Sequence, residues 1–214
     1  MRNRFDEQLF ELNTEIIEMG AMCEEAIASA AKALATGDMK LASEIKVNGS
    51  AIDQMERDIE ARCMKLLLHQ QPVARDLRLI STALKMITDM ERIGDQAEDI
   101  AEIVTFLNGH TMEGLELIEE MAREIIEMVT ASVDAFVKKD VELAKKVIEQ
   151  DDIVDNYFSR VKCGIISLIT KNHADGELAL DLLMISKYFE RIGDHATNIA
   201  EWVIYSVTGT HKEV

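Results

Sequence analysis

Positions 79, 83, 86, 90, 93, 97, 100 and 104 of the chain are Leu, Ala, Met, Met, Ile, Ala, Ile and Val, an apolar line spaced by threes and fours. Positions 178, 182, 185, 189, 192, 196, 199 and 203 repeat it as Leu, Leu, Ile, Phe, Ile, Ala, Ile and Val. This period predicts two α-helices, each with a seam buried in a bundle. The duplication extends beyond the seams. ERIGD occupies residues 91–95 and again 190–194, and the match runs on from QAEDIAE into HATNIAE. Upstream, Thr36-Gly37-Asp38 corresponds to Lys138-Lys139-Asp140 and Ile52-Asp53 to Val154-Asp155, 102 residues apart where ERIGD recurs after 99. The missing three residues fit a loop around Gln70-Gln71-Pro72 that is shorter in its second copy near Asn172–Asp175, and a loop is where a duplicated chain tolerates a deletion.

Each copy predicts three long helices. The first runs from about residue 5 to the break at Thr36-Gly37 and the second from about 38 to 69. The third opens at Pro72, which suits a first helical turn, and closes at Asn108-Gly109. The second copy repeats the pattern between Glu113 and Thr208. Helices of ~30 residues are ~45 Å long, and short links make consecutive ones antiparallel. The expected fold class is all-α: two tandem three-helix bundles related by internal duplication, with repeats at residues 1–110 and 111–214.

Composition agrees with helix. One Pro and 10 Gly are too few for a chain full of tight β-turns, and 48% hydrophobic residues suffice for a core. A formal net charge of −17 disfavours nucleic acid and anionic lipid as partners. No apolar run is long enough to insert in a membrane, and the acids in MRNRFDEQLFEL are wrong for a signal peptide. Cys23, Cys63 and Cys163 show no CxxC spacing, which reads as reduced, packed thiols in a cytoplasmic protein.

At about 100° per residue, Glu91, Asp95, Glu98 and Glu102 fall in one sector opposite the seam, with Asp99 at its edge. Glu190, Asp194 and Glu201 occupy the same sector of the sixth helix, with Asn198 at the edge. A solvated face would read the same way. Against it, the stripes lack balancing cations four residues on, and they lie toward helix C-termini, where the dipole disfavours anions. Gly94 and Gly193 would let the two stripes approach each other, or serve ordinary helix packing. If helices three and six lie side by side, Glu91, Asp95, Glu190 and Asp194 converge as a hard oxygen site for Mg²⁺, Mn²⁺ or iron. Asp99 and Asn198 are then supplementary donors, and Asp53, Glu56 and Asp155 rank below them.

The paired E-x-x-x-D motifs in ERIGD and ERIGDHATNIAE, with QQPVARDLRLI ahead of the first, resemble the PhoU family of phosphate-transport regulators over nearly the whole chain. The resemblance implies a cytoplasmic all-α protein, usually a homodimer, that represses the phosphate-starvation response. It implies as partners the ATPase of the phosphate ABC transporter and a membrane sensor histidine kinase. It also implies magnesium, manganese or multinuclear iron on the E-x-x-x-D faces, here Glu91, Asp95, Glu190 and Asp194.

A ferritin-like carboxylate-bridged metal oxidase is the enzymatic alternative, but its Glu-x-x-His pairs are missing. A histidine phosphotransfer bundle would need His195, whose first-copy counterpart is Gln96. No nucleophile–base pair or Gly-rich phosphate cradle is present, and an anionic stripe repels phosphate unless a metal intervenes. Arg75, Asp76 and Arg78 either dock a partner or form ion pairs across the bundle. The expectation is a non-enzymatic, metal-binding adaptor.

Overall fold

The computed structural model describes residues 2–69, 73–107, 116–171 and 176–210. It contains six helices: α1 Arg2–Thr36, α2 Met39–His69, α3 Ala74–Phe106, α4 Glu116–Lys138, α5 Val141–Lys171 and α6 Gly176–Thr208. Each expected helix is present within a few residues. Pro72, Asn108-Gly109 and the shortened loop at 172–175 lie outside the described residues.

The two short turns show the duplication in atomic detail. Gly37 (φ 64°) and Lys139 (φ 55°) take the same left-handed conformation. Asp38 N then bonds Ala33 O at 3.1 Å and Asp140 N bonds Ala135 O at 2.9 Å, closing α1 and α4. Each aspartate opens the next helix. Asp38 Oδ1 accepts from the amides of Lys40 and Leu41, and Asp140 Oδ1 from those of Glu142 and Leu143, all at 3.0 Å.

Helices α1–α3 form one bundle and α4–α6 the other. The seams of α3 and α6 are buried along their length apart from Leu178, which is partly covered. The bundles join through α1 against α4 and α3 against α6. At Gly20 a Cβ would lie only 3.1 Å from Val133 Cγ2, so α1 and α4 approach closely there. Across the α3–α6 contact, Thr82 Oγ1 donates to Trp202 O at 3.4 Å, and the Lys85 ammonium stands 5.7 Å from the Trp202 ring centre. His195 Nδ1 and Asn198 Nδ2 lie 2.9 Å and 3.2 Å from Asp89 Oδ1. The two helices therefore run antiparallel, and the start of α3 meets the end of α6.

Cys23 and Cys63 are buried, as expected, and burial pushes both thiols up to about 12. Cys163 is exposed instead of packed: it lies on the outer face of α5, two residues beyond the buried Val161. No described helix is long and apolar enough to cross a membrane.

Candidate metal centres

The acidic stripes do not meet. The face of α3 turned to α6 carries Thr82, Lys85 and Asp89, roughly 130° around the helix from Glu91 and Asp95. The glycines show which neighbours the ERIGD segments serve. A Cβ at Gly94 would lie 3.0 Å from Ile52 Cδ1 of α2, and one at Gly193 would lie 3.3 Å from Val154 Cγ1 of α5. They admit a partner helix within each bundle and not the opposite stripe. The expected convergence of Glu91, Asp95, Glu190 and Asp194 is thus replaced by two separate carboxylate clusters, one per repeat.

The first cluster lies between α2 and α3. Oxygens of Asp53, Glu91 and Asp95 all fall within 4.8 Å of one another. Asp53, ranked low from sequence, completes it because Ile52, its neighbour in the chain, is the residue seated against Gly94. Arg92 is the local counter-charge: Nη1 donates to Asp95 Oδ2 at 3.0 Å, and Nε lies 3.4 Å from Glu91 Oε2. Desolvation, then Asp95 and, more weakly, Glu56 and Asp53, raise the Glu91 carboxyl above its usual range, and Arg92 opposes them.

The second cluster lies between α5 and α6. Asp194 is raised by burial and by the charges of Glu190 and Asp155, with Lys187 opposing. Asp151 is pushed up to about 6, by desolvation first and then by Asp194, Asp155, Glu190 and Asp152. Lys187 Nζ donates to Glu190 Oε2, a balancing cation that lies three residues upstream of the glutamate and not four downstream. Asp151 is a functional candidate absent from the sequence reading. Aligned at 102 residues, it stands where the first copy has Gly49, and aligned at 99, Thr197 stands where the first copy has Glu98. A Cβ at Gly49 would occupy the place of the Glu98 carboxylate, and a Cβ at Gly193 would lie 3.5 Å from Asp151 Oδ1. Beyond Asp53 and its counterpart Asp155, a further carboxylate thus comes from α3 in one repeat, Glu98, and from α5 in the other, Asp151. Comparing the copies pairwise would have exposed this exchange.

Asp99 and Asn198 do not sit as a matched pair of donors. Asn198 donates to Asp89 across the bundle junction. Asp99 is raised by burial, Asp95 and Glu102, and feels the opposing charge of Arg191 on α6. Arg75, Asp76 and Arg78 line a cleft at the start of α3 and form no ion pair among the described residues.

The first cluster suits a hard cation: its three donors are all carboxylate oxygens, and Arg92 offsets only part of their charge. Among the described residues it is the one group whose donor oxygens converge; the acids of the second cluster raise one another's proton affinity without meeting that closely.

Comparison with known proteins bears on the whole chain. The family model described as PhoU domain matches residues 16–104 and 118–203. A phosphate-specific transport system accessory protein PhoU homolog from Clostridium acetobutylicum is 36% identical, covering 100% of this chain and 98% of its own. The protein of that description from Pseudomonas aeruginosa is 33% identical over 97% of this chain and 86% of its own. The crystal structure of PhoU from Pseudomonas aeruginosa superposes with a TM-score of 0.91 over 96% of this chain and 100% of that one. The phosphate transport system regulatory protein PhoU from Streptococcus pneumoniae, 27% identical, gives 0.90 over 98% and 100%.

Proposed function

This chain belongs to the PhoU family, and from that premise we propose that it is a cytoplasmic, non-enzymatic regulator of phosphate uptake. It restrains the phosphate-starvation response as an adaptor between the ATPase of the phosphate ABC transporter and a sensor histidine kinase, and works as a homodimer. The observation that carries the reading is the family match in both repeats.

Metal enters through the two clusters. Asp53, Glu91 and Asp95, whose oxygens converge, would hold one Mg²⁺, Mn²⁺ or iron site, and Asp151, Asp155, Glu190 and Asp194, which repel one another across α5 and α6, would draw together around a second. A bound cation supplies charge neutralisation between carboxylates that otherwise repel. The residues do the rest. With a cation bound, Asp53 would link α2 to α3 and Asp151 and Asp155 would link α5 to α6, while Arg92 and Lys187 partly balance the charge. Neutralising the clusters fixes the outer helix of each bundle and so the surface a partner meets.

The test is binding of the purified chain to the transporter ATPase and to the kinase, with Mn²⁺ and with EDTA, for the native protein and the D95N/D194N double variant. Expected is binding that weakens in EDTA and in the variant. Absence of binding to either partner under all conditions overturns the adaptor reading, and binding indifferent to both changes overturns the role of metal.

A further inference from the structure

In a chain of net charge −17, one cleft is lined by cations. It has a volume of about 340 Å³ and lies where the first turn of α3 meets the α4–α5 turn and the end of α6. Arg75, Arg78 and Lys139 line it, with Asp76 the one acid among its lining residues. Among the described residues none of the three cations is held in an ion pair, and Arg78 Nε is buried without a hydrogen-bond acceptor. A buried guanidinium N–H left unmatched costs on the order of 1–3 kcal/mol, so the site is organised for an acceptor.

Two features place these charges deliberately. Gly209, with φ 76°, turns the chain at the end of α6 against Arg78, and a Cβ there would lie 3.7 Å from Arg78 Cζ. Lys139 keeps a left-handed conformation (φ 55°) where its first-repeat counterpart is Gly37. The duplicated sequence does not repeat these cations: Gly37 corresponds to Lys139, Glu177 to Arg78 and Ala174 to Arg75. The repeat fold therefore does not require the cations. The negative end of the α6 dipole accounts for one guanidinium beside it but not for two further cations.

The geometry points to a binding site for a phosphoryl group, as free inorganic phosphate or as a phosphate monoester, held by Arg78 with Arg75 and Lys139. Planar guanidinium forks and an ammonium match tetrahedral oxyanion geometry. The site is remote from the carboxylate clusters and needs no metal, so it stands or falls separately from the adaptor reading.

The experiment is calorimetric titration of the full, EDTA-treated chain with inorganic phosphate and, in a second arm, with AMP. The chelator prevents binding through bound metal. Saturable binding of phosphate is expected, weakened at least tenfold in R78Q and severalfold in K139G. The glycine variant relieves the left-handed strain, so its fold is retained and its melting temperature should not fall. Equal affinity for AMP identifies the phosphoryl group alone as the determinant, and tighter AMP identifies a nucleotide as the occupant. No saturable binding of either ligand, or affinity unchanged in both variants, overturns the site.

Discussion

Replacing Asp151 with Asn should stabilise the metal-free protein. Asp151 faces Asp194, Asp155, Glu190 and Asp152, with Lys187 the nearby cation through its bond to Glu190, and its carboxyl is pushed from 3.8 up to about 6. A carboxyl raised in the folded state binds more protons there than in the unfolded chain between those two values, so ionising it costs stability above about pH 6. The cost is relieved as pH falls through 6 toward 3.8. Two units correspond to about 3 kcal/mol, and solvent screening of a half-exposed group reduces this to about 1 kcal/mol. For a chain of this size that is about 2–4 °C in melting temperature. D151N should therefore melt higher than the native chain by that amount in EDTA at pH 7.5, with the gap roughly halved at pH 5 and nearly closed as pH approaches 3.8. Added Mn²⁺ should raise the native protein more than the variant. A lower melting temperature for D151N at pH 7.5, or a gap independent of pH, would refute the reasoning.

The glycines offer a graded series. G164A, where a Cβ meets nothing within 4 Å, should stabilise α5 by up to about 1 kcal/mol in chemical denaturation. G49A must evict the Glu98 carboxylate and G94A must displace Ile52, so both should lower stability, by about 1–3 kcal/mol. R62A removes a guanidinium that bonds Glu15 at 2.6 Å through both Nε and Nη2, and it should cost about 1 kcal/mol by weakening the α1–α2 contact. Thiol titration of the native chain should label Cys163 rapidly and leave Cys23 and Cys63 unreacted until denaturant is added.

The fold was readable because its determinants are local and written twice. The apolar lines of α3 and α6 fix their seams, and Gly37-Asp38 and Lys139-Asp140 fix the turns. The carboxylate types at the site were readable for the same reason, since Glu91, Asp95, Glu190 and Asp194 stand out by spacing. Their partners were not. Helical periodicity gives the angle of a side chain about its own axis but not which neighbour fills that angle. The stripe lies opposite the seam, as expected, yet it borders α2 and α5, because the rotation of α3 about its axis is set by Asp89, Thr82 and Lys85 meeting α6. Asp151 was hidden for a different reason: its counterpart is a glycine, so a search for matching acids passes over it.

Metal stoichiometry in the single variants tests the two-centre arrangement most directly. Mn²⁺ binding followed by electron paramagnetic resonance should resolve two independent sites in the native chain. D95N should remove one and D194N the other, each leaving its companion's affinity unchanged, and the double variant should bind neither. Loss of all Mn²⁺ from either single variant would show one shared centre, and full binding by the double variant would show that the ERIGD carboxylates hold no metal.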